Sequence, residues 1–421
     1  MSRLPRIEAS RLGEMPARLL WLGLFLFLAE RVAVWLLLGA TLPTHGFESG
    51  VISDNLVAGR GYWMPFYYCD VPMRSFIPPL YPVLMALAKM ATAHWVTLLR
   101  VLQVGASLVN ALLAAEIAGR WFGRRAMIGS YFLVGLYPLF AIYSLAIFST
   151  TLIMTWVLVL VNLMDRVDGP RPLVLGGTTG FVHGLAILTS PPLGLLGVLF
   201  LFRLWRFPHP GRRRRTLSYL VMLAAVWSPW ILRNAAVHHT LLLTSTNGGF
   251  NFLVGNNAYA GGYTWGDFTE ERNFWRVVDR QVVETLPEPA LERWFYARAF
   301  GAIGERPAHY LGFIVRKAYY FWWCRDITRF GYPTRWSVAY QSLYGFILPF
   351  ILAGLWLWRG RWRRLFPAYF LFAEYTFLYS LYFVRSRFRW EIEPLLLVFA
   401  VAGALEILRR LTGGSGLEAS T

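Results

Sequence analysis

Apolar runs recur along this chain at the length a membrane demands. A hydrocarbon core roughly 30 Å thick calls for about 20 apolar residues in a helix. Such segments read near 17–41, 95–118, 126–143, 145–164, 172–189, 191–206, 216–235, 338–358, 365–384 and 394–410. The pattern predicts an all-α polytopic membrane protein of about 10 (9–13) transmembrane helices, in a single domain over 1–421 with no soluble domain of ordinary size. The N-terminal region lacks the short apolar core and small-residue cleavage site of a signal peptide, so the first span is expected to be retained.

Composition agrees, with 56% hydrophobic, 17% aromatic and only 15% charged residues. Charge then sets the orientation. Arg3, Arg6, Arg11 and Arg18 precede the first span, and Arg120, Arg124, Arg125, Arg166 and Arg171 sit in short loops. Arg206, Arg212–Arg215, Arg359, Arg361, Arg363, Arg364, Arg409 and Arg410 complete the set. With ten spans every cluster falls on the cytoplasmic side, where flanking arginines accumulate. The net charge of +18 therefore reads as a topology signal plus affinity for anionic headgroups, and calls for no nucleic-acid partner.

Two long stretches remain on the extracytoplasmic side, 42–94 and 236–337, both rich in Trp, Tyr, Phe and Gly. Loops of this length are functional or disordered, and aromatic content favours order. Phe76–Ala93 and Arg306–Trp323 read as helices lying in the interface. Were the second to cross instead, everything downstream would change sides. Arg385-Ser-Arg-Phe-Arg389 then places three arginines on the side where they are rare. They suit an anion held at the membrane surface, a lipid phosphate, through arginine's bidentate fork. Extended, the segment aims Arg385, Arg387 and Arg389 the same way; the alternative is pairing with Glu391 and Glu393.

Other chemistry is sparse. Neither His nor Cys shows zinc-ligand spacing, and no GxxxxGK[ST] or strand-borne GxGxxG is present. His238-His239 reads as surface loop, and Asn247-Gly-Gly249 and Gly261-Gly262 as turn formers. Cys69 and Cys324 share the outer side, as a disulfide or as two unpaired thiols. Glu30-Arg31 falls inside the first span, either functional or a pair that packs the bundle. Among the outer acids, Glu48 stands apart because it follows a span closely and opens a helical stretch, Glu48–Ala58, at headgroup level. A partly dry carboxylate there suits proton abstraction, and favourable charge at a helix N-terminus is the alternative. Most acids of the second stretch, a set that includes Glu288 and Glu292, sit among polar residues and read as solvated surface.

Phe47-Glu-Ser-Gly-Val-Ile-Ser-Asp-Asn-Leu-Val-Ala-Gly-Arg-Gly-Tyr62, followed by Pro78-Pro-Leu-Tyr-Pro82, resembles the first periplasmic loop of GT-C glycosyltransferases. The nearest branch is family 39-like, related to protein O-mannosyltransferases and the lipid A aminoarabinose transferase. Ser228-Pro-Trp-Ile-Leu-Arg-Asn234, Ser245-Thr-Asn-Gly-Gly-Phe-Asn251 with Gly255-Asn-Asn257, and Arg387-Phe-Arg389 with Glu393-Pro394 follow in the same order. The resemblance implies a membrane helix bundle under interfacial helices, with a cavity open to the outer side of a bacterial inner membrane. It implies transfer of a sugar from a polyprenyl-phosphate donor to a glycan, lipid or protein acceptor, with inversion. Glu48 would be the general base, Arg385, Arg387 and Arg389 the phosphate ligands, and Tyr62, Tyr81, Asn256 and Asn257 the substrate pocket. An Asp common in relatives near His45 is absent, as is a Glu near Thr150, which weakens any second-acid or metal-assisted variant. No cofactor is called for and a divalent metal stays open. Two other classes remain: a lipid or glycan transporter, and a non-catalytic membrane partner of a glycan assembly complex.

Overall fold

A computed structural model describes residues 11–166, 171–206, 211–260, 271–323 and 334–412. All ten segments read as spans are helical, but they differ in kind. Ala17–Leu38, Trp95–Phe122, Arg212–His238 and Val338–Leu357 are long and apolar enough to cross a membrane by length and composition. The expected 126–143 span is broken into Arg124–Gly135 and Pro138–Leu145, bent by 50° where Pro138 cannot continue the ladder. Thr150–Asp165 and Pro172–Ile187 are shorter, 16 residues each. The 191–206 segment opens with a 3₁₀ turn at Pro191–Leu195 before Leu196–Arg206. The protein is a multi-pass, all-helical membrane protein.

Glu393–Leu411 lies at the centre. Leu395 to Phe399 are wholly buried against Thr334–Leu357, Arg124–Gly135 and Trp95–Phe122, so this helix is apolar all round. In the first helix, Arg31 pairs with Glu30 at 2.5 Å and donates to the Gly135 carbonyl and to Ser107 Oγ. The mid-span pair therefore ties the first helix to the bundle.

The described parts of the two long stretches, 42–94 and 236–337, fold onto each other. Phe66, beside a two-residue strand pair (Met64–Pro65 with Pro72–Met73), packs on Phe76, Phe250, Phe274 and Phe295 with ring centroids 5.5–5.9 Å apart. Their aromatic richness thus builds a second apolar core. Glu288, read as solvated, is buried: it accepts from the Arg74 and Ser75 amides at 2.5 and 2.9 Å and from Thr246 Oγ1, joining one stretch to the other. His238, read as surface loop, turns inward to Ser75 Oγ at 2.8 Å. The segments expected as interfacial helices are helical, as Leu80–Ala91 and Pro307–Trp322. The first buries Tyr81, Met85 and Ala88 and leaves Leu84, Leu87 and Met90 outward; the second buries Tyr310, Phe313 and Lys317 and exposes Leu311 and Val315. Asn247-Gly-Gly249 makes no turn but starts the helix Asn247–Gly255. A Cβ on Gly249 would lie 2.3 Å from the Glu292 carbonyl, so glycine there permits close packing of Asn247–Gly255 on Glu288–Glu305. Gly261-Gly262 and Cys324, and with it the proposed bridge to Cys69, lie outside the described residues.

Candidate active site

Glu48 is placed by an unusual helix start. Gly46 holds φ +75°, as glycine does without penalty, and Phe47 follows at φ +50° before the helix Phe47–Val57 runs on. Phe47 stacks on Phe148 at 5.1 Å, which fixes this entry. Glu48 is half-buried and accepts a hydrogen bond from Tyr67 Oη at 2.7 Å. Tyr67 is half-buried, and desolvation of its hydroxyl together with the Glu48 carboxylate holds that hydroxyl well above the ordinary tyrosine range, so it remains a donor. Asp54, the other acid of this helix, is half-exposed and paired with Lys89 at 2.6 Å.

Glu48 faces a cavity of about 920 Å³. Its walls join residues far apart in sequence: Phe47–Ser49, Pro78 and Tyr81 from the first long stretch, Ser245, Asn247 and Asn251 from the second, and Arg385 and Arg387 from the 385–389 segment. Phe148, Pro191, Pro192 and Leu195 give it an apolar side. Thr150 also lines it.

The arginine triplet divides. Arg385 is extended and precedes the short helix Ser386–Trp390, which carries Arg387 and Arg389 two residues apart. Residues so spaced do not share a helix face. Arg385 and Arg387 line the cavity; Arg389 does not. It is fully buried, donating to the Phe321 and Trp322 carbonyls at 2.9 and 3.2 Å and to Tyr340 Oη, with Glu393 3.6 Å away. Glu393 in turn accepts from Tyr137 and Tyr340. The expectation that Arg389 contacts phosphate is corrected: its partner is Glu393, as the pairing alternative had it.

The expected substrate pocket changes as well. Asn256 and Asn257 are buried outside the cavity. Asn256 donates to the Leu381 carbonyl at 2.7 Å and accepts from Lys317, so it holds the chain just before Arg385. Asn257 donates to the Leu253 and Val254 carbonyls, closing the end of its helix. Tyr62, half-buried, also lies outside the cavity lining, donating to the Ile77 and Pro78 carbonyls, with Arg233 5.4 Å over its ring. It shapes the wall from behind. Tyr81 does reach the cavity, with its hydroxyl donated to Gln103 at 2.9 Å.

Sequence reasoning missed Glu292. It lines the cavity beside Asn247 and Tyr296, and burial pushes its carboxyl up to about 7 despite a bond from the Gly249 amide. The signal was there in part: Glu288 and Glu292 are one helical turn apart, flanking Leu291 and Phe295, which read as a packed face. Among the described residues, no group of three or more His, Cys, Asp or Glu is placed to hold a metal ion.

No family model matches the chain, and no curated protein sequence matches it. Solved structures do. ArnT from Cupriavidus metallidurans bound to undecaprenyl phosphate aligns at 15% identity and TM-score 0.41, over 93% of this chain and 79% of that one. The apo ArnT structure aligns at 14% identity and TM-score 0.39, over 92% and 78%. The archaeal oligosaccharyltransferase AglB from Archaeoglobus fulgidus, in complex with an inhibitory peptide and a dolichol-phosphate, aligns at 12% identity and TM-score 0.48. There the match covers 95% of this chain and 53% of that one, so this chain spans about half of AglB. All three TM-scores lie below 0.5, so the functional reading rests on the cavity and its chemistry.

Proposed function

We infer that this protein is a membrane glycosyltransferase that moves a sugar from a polyprenyl-phosphate donor to an acceptor hydroxyl, with inversion. One observation carries the reading: a carboxylate, Glu48, and two guanidinium groups, Arg385 and Arg387, face the same cavity, whose other side is apolar. A lipid-linked phosphodiester fits that division, its chain on Phe148 and Leu195 and its phosphate on the arginines. Glu48, steadied by Tyr67, takes the proton as the acceptor oxygen attacks the anomeric carbon. The bond from that carbon to the phosphate oxygen breaks on the opposite face. Charge then builds on the phosphate, where Arg385 and Arg387 stabilise it, so no acid is required for the leaving group. The acceptor is a glycan, a lipid or a protein.

The experiment is direct. Purified protein in nanodiscs is given polyprenyl-phosphate-linked sugars and envelope extracts as acceptors, and product is followed by mass spectrometry. Release of bare polyprenyl phosphate with a glycosylated acceptor is expected; passage of the intact donor across the bilayer without bond cleavage would make the protein a transporter. The same reading assigns the cavity to the extracytoplasmic side of an inner membrane, and labelling tests it. In a background lacking Cys69 and Cys324, Tyr259→Cys is expected to react with an impermeant maleimide in intact spheroplasts, and Arg361→Cys only after lysis. Both positions are exposed in the fold. The reverse labelling pattern puts the cavity on the cytoplasmic side.

A further inference from the structure

Glu391 has no part in the chemistry above, yet it stands in the same wall as Arg387. It sits at the turn between Ser386–Trp390 and Glu393–Leu411, lines the cavity, and is only 6% exposed. It accepts a hydrogen bond from Tyr375 Oη at 3.0 Å. Among the described residues no Lys, Arg or His nitrogen comes within 4.0 Å of its carboxyl, and Arg387 acts on it from farther away. Tyr375, Tyr379 and Glu374 face it from Trp362–Leu381, and Arg387 from Ser386–Trp390. The nearby Arg389–Glu393 pair is closed on itself. Burial pushes the Glu391 carboxyl up to about 8, against the opposing pull of Tyr375 and Arg387.

A phosphate on Arg387 and an ionised carboxylate in the same dry wall would repel each other. Protonation removes the repulsion and supplies an O–H donor, since a carboxylic acid donates where a carboxylate only accepts. We propose that Glu391 stands as a neutral carboxylic acid and donates a hydrogen bond to a phosphate oxygen of the ligand seated on Arg387. The proposal rests on the phosphate reading of the cavity and deepens it. No proton is transferred: Glu391 keeps its hydrogen and shares it with the ligand. Phosphate binding and retention of that proton are therefore linked, so affinity is full below the Glu391 ionisation and falls as pH rises through it.

The test uses bare polyprenyl phosphate, titrated into full-length protein in nanodiscs between about pH 7 and about pH 9.5, above the second phosphate ionisation near 6. Wild-type affinity is expected to fall about tenfold across that range, the effect of one shifted ionisation. Glu391→Gln, which keeps a neutral donor, should bind with no alkaline fall. Tyr375→Phe, which removes a hydrogen bond favouring the ionised form, should move the midpoint to higher pH. Glu292, the other cavity carboxyl with a raised ionisation, titrates lower and is untouched in both variants. Inorganic phosphate that competes with the same pH-dependence assigns recognition to the phosphoryl group alone. Competition by the lipid only, with the slope intact, assigns it to the lipid headgroup. Both support the proposal. A pH-independent wild type, a Glu391→Gln protein that keeps the slope, or a midpoint unmoved in Tyr375→Phe overturns it. A wild type that binds polyprenyl phosphate at no pH instead removes the phosphate reading of the cavity.

Discussion

Replacing Glu48 with glutamine lowers turnover by about two to four orders of magnitude while fold and donor affinity stay as they are, the loss typical of a missing general base. Glutamine fills the same space and still accepts from Tyr67 Oη, so the helix start at Gly46 and Phe47 has no cause to move. Glu48→Asp retains part of the rate, because the carboxylate survives at a changed distance. Single-turnover rates with saturating donor, read beside donor affinity and melting temperature, make the comparison. Wild-type turnover in Glu48→Gln removes the residue from the mechanism. Asp54, the fallback within the same helix, is already paired with Lys89 and does not line the cavity. Glu292 would then be the carboxyl to test, since it faces the same space.

Arg387 and Arg389 give opposite phenotypes despite their identical side chains. Arg387→Ala is expected to weaken donor binding by about 1.5–3 kcal/mol, the range for a lost charge-assisted contact, with little change in melting temperature. Arg387→Lys restores only part, because a point charge does not reproduce the fork. Arg389→Ala leaves Glu393 buried without its cation and opens two carbonyl contacts, so stability falls by about 3–5 kcal/mol. Donor affinity in the folded fraction of Arg389→Ala stays unchanged. Calorimetric titration and thermal unfolding on the same preparations separate the two. Reduced affinity in both variants at equal stability would return Arg389 to the phosphate site.

Much of this protein was legible in its linear pattern, for a physical reason. Each membrane-length apolar run must satisfy its backbone internally, so it becomes a helix whatever its neighbours do. The ten helical segments follow from that local rule. Aromatic content likewise announced packing in the two long stretches, whose described residues build the second apolar core. Only the tertiary structure decided which polar groups look inward and at what. Periodicity places Arg387 and Arg389 two residues apart, but whether the segment is extended or helical depends on Asn256 pinning Leu381 and on Glu393 waiting in the next helix. Glu288 and Glu292 read as solvated because a local window counts polar neighbours, whereas their burial comes from Ser75, Thr246 and Gly249, more than 40 residues away. Asn256 and Asn257 carry the amide groups of a sugar pocket, and helix ends and a lysine consumed them. Burial and hydrogen-bond partnership are set by contacts distant in sequence, and the cavity at Glu48, Arg385 and Arg387 exists only once those contacts have closed.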